Sequence, residues 1–123
     1  MSEDDELPMF IRQRFPSVWA LEIVLFLRTR AERGWQVDDL VKEMRASRAL
    51  VAVNLENFVS AGLVLREGED RFRFAPANPC LAELCRRAAE AYRDRPVTVI
   101  NLIAAPEERL QQLADAFRFK PRR

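Results

Sequence analysis

Arginines, rather than nucleophiles or metal ligands, are the side chains here whose type and spacing fit a chemical task. One group is Ser47, Arg48, Leu50 and Asn54, close together in one stretch. The other is Arg66, Arg71 and Arg73, which flank an acidic tip, Glu67-Gly68-Glu69-Asp70. Guanidinium groups donate in a planar fork to anions and flat polar edges, while hydroxyl and amide groups add single hydrogen bonds. Leu50 would add an apolar contact. Such a set holds a polar or anionic surface; it does not break bonds.

Several chemistries are excluded outright. With 0 histidines, the chain has no Cys2His2 zinc site, no His-Glu-x-x-His helix and no Ser-His-Asp or Cys-His arrangement. The glycines Gly34, Gly62 and Gly68 are isolated, so no phosphate-cradling loop is present. Cys80 and Cys85 lie in a helix-like segment and point to different faces, which rules out a local disulfide. They read as two buried thiols in a reducing compartment, without further ligands at metal spacing. The expectation is a protein that is not an enzyme and carries no cofactor or metal.

Charge narrows the class further. Twenty basic and 19 acidic residues give a net charge of +1, too balanced for a chain that wraps nucleic acid through charge alone. The first residues, Ser2 to Glu6, are acidic, and Arg118, Lys120, Arg122 and Arg123 make a basic tail; both read as solvated termini. An acidic start is unlike a signal peptide. The most apolar run, Val18 to Leu27, contains Glu22 and falls short of the roughly 20 residues of a membrane span. A cytoplasmic protein without a membrane segment is expected.

The elements that must position the arginines follow from periodicity. Residues 1–16 read as an N-terminal arm or short helix, with Met9 to Arg14 stopped at Phe15-Pro16. From Val18 to about Glu32, Val18, Leu21, Val24, Leu25 and Leu27, with Trp19, Ile23 and Phe26 beside them, predict a largely buried helix that Gly34 would stop. Trp35-Gln36-Val37 reads as an extended link. Asp38 and Asp39 open a second helix with Val37, Leu40, Val41 and Met44 inside. Arg45-Ala46-Ser47 is the turn, with Ser47 capping a third helix from Arg48 to about Ala61, closed by Gly62. Val51, Leu55 and Phe58 form its inner face, and Arg48, Ala49, Leu50, Ala52, Val53 and Glu56 its outer one.

Leu63 to Glu67 and Arg71 to Phe74 then predict a hairpin, the second strand alternating arginine with phenylalanine. The order helix, link, helix, turn, helix, hairpin over residues 17–78 is a winged helix-turn-helix. Residues 79–123 read as a C-terminal helical extension. A helix from Cys80 to Arg93 has Leu81, Leu84, Cys85, Ala88 and Tyr92 on one side. For Val97 to Ala104, β-branched residues suggest a strand, but Pro96 and the spacing of Val97, Ile100, Ile103 and Ala104 favour a helix. A last helix starts at Pro106, with Leu110, Leu113, Ala114 and Phe117 as its apolar face. The tryptophans and phenylalanines fall at core periodicity. The predicted class is mostly α with a small β-hairpin: a winged helix-turn-helix plus C-terminal helices.

The segment Val37-Asp-Asp-Leu40-Val41, then Ser47, Val51, Leu55, Phe58 and Ala61-Gly62-Leu63-Val64 before a hairpin, resembles bacterial winged-helix transcription regulators of the MarR and related types. The resemblance covers about half the chain. It implies a dimer that binds double-stranded DNA, the third helix entering the major groove and the hairpin lying beside it. On that reading Ser47, Arg48, Leu50 and Asn54 touch bases or phosphates, and Arg66, Arg71 and Arg73 serve the wing. The C-terminal helices would either dimerise or fold back onto the core. The sequence departs from the pattern in its apolar outer face and acidic wing tip. Those features fit an alternative, a winged-helix module that binds protein rather than DNA.

Overall fold

Apolar side chains at three- and four-residue spacing build most of residues 3–105, the part that the computed structural model describes. In chain order the elements are α1 (Glu3–Arg14), α2 (Val18–Thr29), β1 (Trp35–Gln36), α3 (Val37–Met44) and α4 (Arg48–Ser60). They continue with β2 (Val64–Glu67), β3 (Arg71–Phe74), α5 (Pro79–Asp94) and α6 (Pro96–Ala104). The architecture is mostly helical with a small antiparallel sheet, a winged helix-turn-helix followed by further helices. The expected helix from Pro106, with Leu110, Leu113, Ala114 and Phe117, lies outside the described residues, as does the basic tail. Among the described residues no helix is long and apolar enough to cross a membrane.

The chain divides into two compact units. Trp19–Ala82 forms one and contains the helix-turn-helix and the sheet. Trp35-Gln36 is more than a link, because it pairs antiparallel with β3 and makes the sheet three-stranded in the order β1-β3-β2. Gly34 does not stop α2, which ends at Thr29. Its role is close approach: a Cβ there would lie 3.0 Å from Glu67 Oε1 and 3.1 Å from Arg71 Cβ. Trp35 is buried, stacked edge-on to Phe26 with ring centroids 5.0 Å apart, and its indole nitrogen donates to the Arg30 carbonyl at 3.4 Å. Trp19 departs from the core expectation at 44% exposed, because it sits at the edge of the α2 stripe of Ala20, Leu21, Ile23, Val24 and Leu27.

The described part of the other unit is α1, most of α5, and α6. The N-terminal segment, read as an arm or short helix, is a helix of 12 residues running from Glu3 to Arg14. Pro8, inside it, removes one backbone donor and masks the stripe of Leu7, Phe10 and Ile11, all buried. Helix α1 packs on α6, and Arg12 donates to the carbonyls of Leu102 at 3.1 Å and Ile103 at 3.0 Å. These are end-of-helix carbonyls with no partner inside α6, and a cation complements their dipole. The stretch Val97 to Ala104 is helical as the spacing favoured, but its buried stripe is Val99, Leu102 and Ile103. Val97 at 67% and Ile100 at 37% are exposed instead. On α5, Leu84, Cys85 and Ala88 are buried, whereas Cys80 is exposed, so the thiols are not both buried.

Candidate functional site

Helix α4 is fixed at both ends by local chemistry. Ser47 has extended backbone, and its Oγ accepts from the Leu50 N–H at 3.1 Å, satisfying a donor left open in the first turn. Ahead of it Arg45 adopts the left-handed region at φ 56, which turns α3 into α4 within a few residues. At the far end Gly62, φ 81, closes a paired cap: Leu63 N–H donates to Phe58 O at 3.0 Å and Gly62 N–H to Val59 O at 3.1 Å. The start of α3 is pinned as well, since Asp39 Oδ2 accepts from the Gln36 N–H at 3.2 Å.

These caps set which face of α4 is open. Val51, Asn54, Leu55 and Phe58 are buried, one stripe at helical spacing. Arg48, Ala49, Val53, Glu56 and Asn57 are exposed, with Leu50 and Ala52 half-buried. The expectation for Asn54 is therefore corrected. It is 3% exposed, and its Nδ2 donates to the Leu50 carbonyl at 2.8 Å within its own helix. Its spacing from Val51 and Phe58 is the signal that places it inside. Ser47 is committed to the cap, which leaves Arg48 as the polar group at the exposed start of the helix.

Strand register corrects the grouping of the wing arginines. Val64 pairs with Phe74 and Arg66 with Phe72, while Leu65 pairs with Arg73 and Glu67 with Arg71. Opposed residues share a face and successive ones alternate, so Arg66 lies on one face and Arg71 and Arg73 on the other. The Arg66 guanidinium stands 4.8 Å from the centre of the Phe72 ring and is ion-paired to Glu56 of α4. On the opposite face Arg73 Nε meets Glu67 Oε2 at 2.7 Å. Arg48 is paired with Asp38 of α3. Among the described residues Arg71 alone of these four cations has no carboxylate partner.

Between α4, the wing and the start of α3 lies an open pocket of about 300 Å³. Asp38, Glu56, Glu69 and Asp70 line it with Arg48 and Arg66, four carboxylates against two guanidiniums, and Phe72 also contributes to its wall. Gln36 bridges to the wing tip, its Nε2 donating to Asp70 Oδ2 at 2.7 Å. Sequence reasoning gave Asp38 only a place at the start of α3 and left Glu56 merely on the outer face. Each stands ten residues from its arginine, on another element, and no local pattern signals the pairing. The arrangement holds charge and hydrogen-bonds to it; its lining contains no nucleophile set against a base. Neither a family model, nor a curated protein, nor a solved structure matches this chain.

Proposed function

We propose that the chain is a cytoplasmic DNA-binding transcription regulator of winged-helix type, acting as a homodimer. The observation that carries this reading is the open outer face of α4, capped at Ser47 and led by Arg48, beside a hairpin wing bearing Arg66, Arg71 and Arg73. A helix so presented is of a size to enter a major groove, with the wing reaching phosphates alongside. Three of the four arginines are already paired, so one copy binds duplex weakly, and two-fold symmetry would double the contacts. The likeness to MarR-type regulators supports the same role.

The test is a fluorescence anisotropy titration against random-sequence duplex at several salt concentrations. Binding is expected to weaken steadily as salt rises, because phosphate contacts release counterions. No binding at about 50 mM salt, or binding indifferent to salt, overturns the reading.

One observation favours a second reading, a protein-interaction module. Val53 is 60% exposed on the outer face of α4, next to Ala49 and Ala52. An apolar strip of this kind suits a protein partner. In that case duplex binding is absent, and replacing Leu50 and Val53 by Asp removes partner capture while the fold persists.

A further inference from the structure

We propose that Asp38 and Glu56 act as affinity-setting residues, holding the DNA-facing arginines in check. The proposal rests on the DNA-binding reading and deepens it. Arg48 and Arg66 lead from α4 and the wing into the same pocket, and each is engaged by a carboxylate from a different element. Side-chain exposure is 66% and 73% for Arg48 and Asp38, and 37% and 58% for Arg66 and Glu56. Pairs this exposed hold weakly against water, so a phosphate can replace the carboxylate.

The exchange leaves the carboxylate behind, however, on the surface that the duplex covers. A freed Asp38 or Glu56 then repels the phosphates that its arginine attracts. Glu69 and Asp70, on the same pocket wall, add to that repulsion. The two carboxylates thus take back much of what the arginines supply, and the face is held to weak, salt-sensitive binding. Neutral amides of the same shape remove both the competition and the repulsion.

The experiment compares D38N, E56Q and the double variant with the unaltered chain, by anisotropy with random duplex across salt. Each single change is expected to tighten binding by about 3- to 10-fold at about 50 mM salt. Each is also expected to steepen the dependence of log K on log salt by up to about 0.9. The gain from D38N should shrink in an R48A background, and that from E56Q in an R66A background, because losing the arginine ends the competition and leaves only the direct repulsion for the amide to remove. E83Q is the charge control: it makes the same change in net charge on α5, removing one of the two carboxylates paired with Arg86. Melting curves confirm that each variant is folded.

If the unaltered chain binds and the variants bind no better, or E83Q gives an equal gain, the proposal is overturned while the DNA-binding reading stands. If the unaltered chain binds no duplex at about 50 mM salt, the reading itself fails, and the proposal that rests on it falls too.

Discussion

Replacing Asn54 by Ala separates a residue that holds the helix from one that reads DNA. Asn54 is 3% exposed, and its amide donates to the Leu50 carbonyl at 2.8 Å. Truncation removes one hydrogen bond, at about 1 kcal/mol. The void left beside Val51, Leu55 and Phe58 adds up to about 1 kcal/mol, depending on how far the neighbours close in. The sum, about 1–2 kcal/mol, corresponds to a fall in melting temperature of roughly 5–10 °C for a domain of this size. Circular-dichroism melts would read it, and duplex titration of the folded protein would be run beside them. Duplex affinity is expected to stay within about twofold, because the amide does not reach the exposed face. A tenfold loss of affinity, about 1.4 kcal/mol, with an unchanged melting temperature would refute the placement of Asn54 as a structural residue.

Three further outcomes follow from named contacts. Gly34→Ala would gain about 0.4–1 kcal/mol from a stiffer unfolded chain, but the contact at 3.1 Å with Arg71 Cβ is on the strand itself and yields little. Overpacking wins, and urea denaturation should show a net loss of about 1–2 kcal/mol; a stabilised variant would contradict the close approach. Arg12→Ala removes two hydrogen bonds to the end of α6, so amide exchange in α6 should quicken, with about 1–2 kcal/mol lost; unchanged protection would count against the cap.

The third concerns Glu83, whose carboxyl is held below the ordinary range chiefly by its hydrogen bond from Arg86. A carboxyl with a folded-state pKa below its unfolded value stabilises the fold above the unfolded pKa, and that contribution is lost as pH falls through the folded one. A titration followed by NMR should place its midpoint below that of a free glutamate, and Arg86→Ala should bring it back up. An unmoved midpoint would dismiss the pair.

Several elements were legible in the sequence because short-range chemistry dictates them. Ser47 as cap, Gly62 as terminator, the stripe of Val51, Leu55 and Phe58, and the alternation of Arg71 to Phe74 all depend on neighbours within a turn or a strand. That was enough to order helices and hairpin and to name the class. The full length of the helix at Glu3–Arg14 was hidden by Pro8, which interrupts the pattern without breaking the helix.

What the tertiary structure decided is the state of the candidate site. Sequence supplied the arginines, and it also supplied the acids, yet only folding says which meets which. Strand register sent Arg66 to one side of the sheet and Arg71 and Arg73 to the other. The packing of α3 and the wing around α4 brought Asp38 to Arg48 and Glu56 to Arg66. Periodicity is a local property and fixes which residues can point outward. Electrostatic pairing acts across elements distant in the chain, and it decides which of the outward charges remains free.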